Sequence, residues 1–188
     1  SMVPMMGNKV AINPATFTHQ EHVAIAYGMG MTGEKVAEQW HISREAQDEF
    51  ALTSHRRALQ AIDSGEFKQE ISPYQVVEKR PDLEADKVLE QVSLKDTDEG
   101  PRADTSLEVL AKLRPVFSAK GSVTAGNSSQ MSDGAGAVVL MNEKAMQRFN
   151  LSPLARFIGF SVAGVPPEIM GVGPIKAIPK VLAQTNIK

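Results

Sequence analysis

Apolar residues recur at helical spacing most clearly in "ISREAQDEFALTSHRRALQAIDSGEF", where Ala46, Phe50, Ala51, Ala58, Leu59 and Ile62 fall on one side. Ser43 is placed to cap this helix and Gly65 to stop it. A shorter helix is expected in "TGEKVAEQW" from about Thr32, with Val36, Ala37 and Trp40 together, and the two read as a helical hairpin. From Glu70 to Arg102 short β-prone runs such as Tyr74 to Val77 alternate with charged, proline-containing turns, a pattern that predicts exposed, irregular chain. "TSLEVLAKLRP" offers a capping box of Thr105 with Glu108 and a helix ending before Pro115.

Beyond Pro115 the pattern changes. Gly, Ala, Ser and Val become frequent, and the rhythm is that of an α/β layer: "AGAVVLM" reads as a buried strand and "NEKAMQRF" as a helix. "LARFIGFSVAG" reads as a second strand, and "IPKVLAQT" as a helix with Pro179 near its first turn. A domain boundary is expected near residue 115.

Composition narrows the function classes. The 188 residues carry a formal charge of −2 with Lys and Arg scattered among acids, so no basic face for nucleic acid is indicated. No apolar run approaches the roughly 20 residues that cross a bilayer. The start, "SMVPMMGNK", lacks the features of a secretory signal. There is no cysteine, which removes disulfides, thiolate metal sites and a thiol nucleophile from within this chain.

Candidate motifs carry unequal weight. "GMGMTG" from Gly28 has the glycine spacing of a dinucleotide-binding turn, but a helix follows where that fold needs a second strand, so the match is read as chance. "GVGP" at Gly171 lacks the Lys-Ser/Thr pair of a phosphate loop. His19 and His22 are two metal-type side chains without a third, and no metal site is expected. Met5, Met6, Met29, Met31, Met131 and Met170 suit either a core or a pliable wall for an acyl chain. Arg102, followed by a capped helix start, is either a solvated arginine or a phosphate contact. "VTAGNSSQMSDGAGAVVLM" is the most informative stretch: Thr124 to Gly126 are small enough for a ligand to lie against the backbone, Ser128 and Ser129 offer hydroxyls, and Asp133-Gly134 turns the chain. A tight strand connection is the alternative.

At this stretch the sequence resembles a known family. "KLRPVFSAKGSVTAGNSSQMSDGAGAVVLMNEKA", together with "MGMTGEKVAEQWHISREAQDEFALTSHRRALQAIDSGEFKQEISP" and "PPEIMGVGPIKAIPKVL", is similar to the thiolases, particularly the degradative 3-ketoacyl-CoA thiolases. The resemblance takes in essentially the whole chain and about the middle half of a thiolase subunit. It implies an α/β fold in which a mainly helical loop domain covering the coenzyme A site, residues 1 to about 115, is followed by the first part of the C-terminal α/β domain, residues 116 to 188. It also implies an N-terminal truncation.

The implied reaction is thiolytic cleavage of a 3-ketoacyl-CoA to acetyl-CoA and a shortened acyl-CoA, as in fatty acid β-oxidation, through a cysteine nucleophile. The family's catalytic cysteines and its Asn-Glu-Ala-Phe and Gly-His-Pro motifs do not occur here, so no catalytic residue is assigned and the chain is expected to be inactive alone. Binding residues do carry over. By resemblance, Ser129 bonds the pantetheine amide and Ala125 and Gly126 let it pass close to backbone. Phe117 packs on the coenzyme, Arg102 sits by its nucleotide phosphates, and Met29 and Met170 line the path to the acyl end. Gly28 stands where some biosynthetic members carry a histidine, which argues for longer acyl substrates.

Coenzyme A and acyl-CoA are thus implied as substrates, with no tightly bound cofactor. A dimer or tetramer is implied for the parent, in the cytoplasm or alternatively a mitochondrial or peroxisomal matrix. Alternative readings are a non-catalytic acyl-CoA-binding module, a structural or interaction fragment, and a piece of a biosynthetic acetoacetyl-CoA thiolase.

Overall fold

The structure is a computed structural model that describes residues 14–18, 23–132 and 134–187. Met5, Met6, His19, His22 and Asp133 lie outside the described residues. In chain order the helices are α1 Ala15–Thr18, α2 Met29–Gln39, α3 Arg44–Ser64, α4 Leu107–Ala111, α5 Glu143–Phe149 and α6 Gly173–Thr185, and the strands are β1 Tyr74–Asp82 and β2 Lys87–Lys95. The chain divides into two compact units. The first holds the described residues of Ser1–Ile42, Val116–Val123 and Met131–Lys188, and the second holds Ser43–Pro115 and Thr124–Gln130.

In the first unit, α2 packs against a 3-10 turn, Pro167–Val172, and the buried apolar side chains are Ala24, Ala37, Val123 and Val172. The helix begins at Met29, with Gly28 as its N-cap, rather than at the expected Thr32. Gly30 and Gly33 are therefore helical, and the glycine-rich motif forms no phosphate-binding turn. Thr32 is buried and donates its hydroxyl to Met29 O at 2.8 Å, so a polar side chain inside the helix is satisfied by the turn before it. The other end closes with His41 in the left-handed region, φ 52°, while Ile42 N reaches Ala37 O at 2.9 Å and His41 N reaches Glu38 O at 3.4 Å. This double bond pattern satisfies the last carbonyls and ends the helix without glycine. "VAIAY", strand-like in sequence, holds a 3-10 turn, Val23–Ala26.

Two expected strands do not form. Among the described residues "AGAVVLM" and "LARFIGFSVAG" have no ladder, and Val138 and Leu140 are 86% and 84% exposed. An apolar run becomes a strand only when a neighbour takes up its N–H and C=O groups, and among the described residues β1 and β2 pair only with each other. α5 forms as expected, its start capped by Asn142 Oδ1 accepting from Ala145 N at 3.0 Å. In α6 the first-turn proline is Pro174, whereas Pro179 lies inside the helix and withholds one N–H.

The second unit is built on α3, which runs the full expected length. Ser43 Oγ accepts from Ala46 N at 3.1 Å, and Gly65 adopts φ 77° at the other end. α3 and α2, read as a hairpin in sequence, belong to different units. α4 packs on α3, burying Leu110 to 2% exposure, a contribution of about 2 kcal/mol for a leucine removed from water. Its N-cap is Ser106, which accepts from Val109 N at 3.3 Å, one residue past the expected Thr105. The stretch expected to be irregular is instead a regular antiparallel hairpin of β1 and β2, with Lys79 and Glu90 directly paired at 2.6 Å. Cross-strand pairs hold it even though most of its side chains face water.

Candidate functional site

A cavity of about 740 Å³ lies wholly within the second unit, between residues of α3, the segment Asp98–Thr105, α4 and the turn Ala125–Gln130. The turn is fixed by its own side chains. Thr124 is fully buried, its N–H donates to Asn127 Oδ1 at 2.7 Å, and its Oγ1 accepts from Gly126 N at 3.2 Å. Ser128 donates its hydroxyl to Thr124 O at 2.7 Å, so that oxygen holds the turn together, while Ser129 is exposed on the cavity wall. These side chain to backbone bonds are the reason the stretch folds as a local turn instead of continuing as strand.

Gly126 is closely surrounded by side chains. A Cβ there would lie 2.5 Å from Leu110 Cδ2 and 2.6 Å from Leu113 Cδ1, both wall residues. The backbone therefore borders the cavity directly at Ala125 and Gly126.

Arg102, also in the lining, carries the site's positive charge but shares it. Its Nη2 lies 3.0 Å from Asp104 Oδ2 and its Nε 3.2 Å from Oδ1, a two-point pair with both side chains exposed. The hydrogen bond and charge of Arg102 hold the Asp104 carboxyl below its ordinary value, and Asp104 in turn raises the guanidinium. The backbone N–H of Arg102 donates to His55 Nδ1 at 3.1 Å, which leaves Nε2 to carry the proton of the neutral ring. An anionic ligand at Arg102 would compete with Asp104 for the same fork of donors.

Of the residues singled out in the sequence, Arg102, Ala125, Gly126, Ser128 and Ser129 line this one cavity. Met29, Phe117 and Met170 belong to the first unit and are not among its lining residues. Phe117 instead packs its ring against Gly30, where any Cβ would overlap it. Met29 and Met170 sit on α2 and on the 3-10 turn packed against it, both exposed.

Sequence reasoning missed His55, Asp104 and the pair formed by Asp48 and Asn127. Asn127 Nδ2 donates to Asp48 Oδ1 at 3.0 Å, and Arg44 Nε lies 2.8 Å from Asp48 Oδ2. The signal available for it was an arginine and an aspartate four apart on one helix face, with an asparagine among small residues elsewhere. Among the described residues no group of three or more His, Asp or Glu is arranged to hold a metal ion. None of the described helices is long and apolar enough to cross a membrane.

Residues 7–144 match the family described as "Thiolase, N-terminal domain". The 3-ketoacyl-CoA thiolase of Bacillus subtilis is 45% identical over 188 residues, which cover all of this chain and 47% of that protein. The peroxisomal 3-ketoacyl-CoA thiolase B of Candida tropicalis is 48% identical over 159 residues, 85% of this chain and 37% of that one. Among solved structures, the dimeric peroxisomal thiolase of Saccharomyces cerevisiae aligns with a TM-score of 0.82 at 40% identity, over 95% of this chain and 42% of that chain. Human mitochondrial 3-ketoacyl-CoA thiolase aligns with a TM-score of 0.77 at 36% identity, over all of this chain and 46% of that chain. The chain thus spans less than half the length of each of these relatives.

Proposed function

The chain belongs to the thiolase family and carries part of its α/β fold, and on that premise we propose that it supplies the coenzyme A-binding part of a 3-ketoacyl-CoA thiolase. One observation carries the reading: Arg102, Ala125, Gly126 and Ser129, chosen from sequence for coenzyme contacts, line a single cavity in one unit. A pantetheine arm is narrow and bears amides, which suits a wall of exposed backbone beside a serine hydroxyl. A nucleotide phosphate suits the guanidinium of Arg102, exchanging for Asp104.

The reaction assigned to the parent protein is attack of a thiolate on the ketone of a 3-ketoacyl-CoA. The bond between the α- and β-carbons breaks, its electron pair takes a proton at the α-carbon to release acetyl-CoA, and a second coenzyme A thiol then takes the acyl group and gives back the thiolate. These 188 residues contain no cysteine, so the nucleophile belongs to parts of the parent outside them, and the chain alone is expected to be inactive. In this reading residues 1 to about 115 act as the loop domain over the coenzyme, and residues 116 to 188 begin the C-terminal domain. Met29, Met170 and Phe117 belong to the acyl and coenzyme path. The parent works in fatty acid degradation as a dimer or tetramer, in the cytoplasm or an organelle matrix.

Calorimetric titration of the 188-residue chain with coenzyme A tests the binding role. Weak, saturable binding that falls on Ser129→Ala is expected, since the remaining walls come from elsewhere in the subunit. No binding at millimolar coenzyme A refutes the reading, and submicromolar affinity refutes the division of labour with the rest of the subunit. Turnover of acetoacetyl-CoA by the purified chain would likewise exclude the assignment of the nucleophile to another part.

A further inference from the structure

Asp48 is a charged side chain buried to 4% exposure in the second unit, and it does not line the cavity. A buried ion pair of this kind contributes little net stability compared with apolar side chains of similar size, because both charges must leave water. What it does here is directional. An ionised carboxylate only accepts hydrogen bonds, so Oδ1 at 3.0 Å requires Asn127 to present its NH2 group. That choice turns the Asn127 carbonyl toward Thr124 N, 2.7 Å away. Thr124 in turn holds Gly126 N and Ser128 Oγ through its own hydroxyl and carbonyl. Arg44 secures the start of the chain of bonds, with Nε on Asp48 Oδ2 and Nη2 on Leu110 O at 2.5 Å.

We infer that Asp48 is a positioning residue for the ligand-facing turn: acting through Asn127, it sets the amide orientation that holds Thr124 to Ser128 and so presents Ala125, Gly126 and Ser129 to the cavity. The ligand half of this inference rests on the coenzyme A reading; the turn-ordering half does not.

A polarity swap separates the two. Asn127→Asp sets two carboxylates against each other and should speed amide exchange at Thr124 and Gly126 about tenfold or more, as expected for losing one well-made hydrogen bond. The double variant Asp48→Asn with Asn127→Asp reverses the bond. The amide at position 48 then donates to the new carboxylate, whose other oxygen still accepts from Thr124 N, while its own carbonyl faces Arg44. Exchange should return to within about threefold of the parent chain.

A role in bulk stability alone would not be repaired by reversing the polarity of one bond. Unchanged exchange in Asn127→Asp, or no recovery in the double variant, overturns the inference. If Asn127→Asp does not fold, recovery of a folded chain with parental exchange in the double variant supports it, and failure to recover overturns it. Coenzyme A titration of the same proteins should follow the exchange results, weakened in the single variant and restored in the double. Parental affinity in Asn127→Asp overturns the ligand half. Should the parent chain bind no coenzyme A, the coenzyme reading fails by itself, and the exchange measurements still decide whether Asp48 orders the turn.

Discussion

Glu34 clamps the backbone at Ser122: its Oε2 accepts from Ser122 N at 2.8 Å and from Ser122 Oγ at 3.2 Å, while Oε1 accepts from Val123 N at 2.9 Å. The side chain comes from α2, 88 residues earlier. One carboxylate therefore satisfies two adjacent N–H groups just before the chain enters the Thr124 turn. Gly121 is part of the same fit, because a Cβ there would overlap the Glu34 carboxylate.

Replacing Glu34 with alanine leaves these partly buried donors without their acceptor. Bonds to a charged group contribute more than neutral ones, and a loss of about 2–3 kcal/mol in unfolding free energy is expected. Urea unfolding of Glu34→Ala checks this, and Glu34→Gln should fall between, since its carbonyl replaces only one of the two oxygens. Parental stability in Glu34→Ala would show that water replaces the clamp.

Gly126→Ala tests how closely the cavity wall is packed. Its methyl would sit 2.5 Å from Leu110 Cδ2, and Leu110 is among the most buried side chains of its unit. Overpacking at such a contact costs about 1–3 kcal/mol, relieved by a shift of the leucine side chains, the turn or α4. The expected result is a lower urea midpoint together with weaker coenzyme A binding. A variant as stable as the parent would mean that Leu110 and Leu113 can turn aside freely.

Much of this architecture is legible in the sequence where it depends on neighbours along the chain. Ser43, Gly65 and Asn142 mark helix ends because capping uses residues a few positions apart. The cavity-lining turn is legible for the same reason, as its small residues and hydroxyls are contiguous. The hairpin of β1 and β2 escapes the sequence because its charged, proline-containing strands are held by pairing across the turn and not by an apolar face. The reverse holds for Val138 to Leu140, which have the composition of a strand but no paired strand among the described residues. Asp48 and Asn127 are 79 residues apart, and only folding shows that they share a bond.

The acid limb of stability follows from four depressed carboxyls among the described residues, of which Glu38 is lowered by the hydrogen bond and then the charge of Lys35. Asp104 is lowered by the hydrogen bond and then the charge of Arg102, Glu45 by its own backbone N–H and then Ser43, and Glu108 by Ser106 and then its own backbone N–H. Each binds a proton less readily folded than unfolded. Their contribution is therefore complete above the ordinary values of 3.8 for Asp104 and 4.5 for the glutamates, and is lost as pH falls through the lowered folded values. The urea midpoint should drop across that range, and Arg102→Ala should make the drop shallower by releasing Asp104. An identical slope in the variant would show that the Arg102–Asp104 pair is not maintained in solution.

The exposed apolar segment Val138 to Leu140 gives the last prediction. Val138, Val139 and Leu140 are 86%, 82% and 84% exposed, in a stretch that is neither helix nor ladder among the described residues. Burying each such side chain would release about 1.5–3 kcal/mol, so the purified chain is expected to bury them against another copy or to bind an apolar dye. Paired as a strand against another copy, the segment would turn Val138 and Leu140 to the same side and Val139 to the other. Val138→Lys with Leu140→Lys should therefore clear one whole face, lowering dye fluorescence and shifting sedimentation toward monomer. Val139→Lys alone leaves that face intact and should have the smaller effect. A parent chain that sediments as monomer at all concentrations and binds no dye would show that the segment is covered within its own polypeptide.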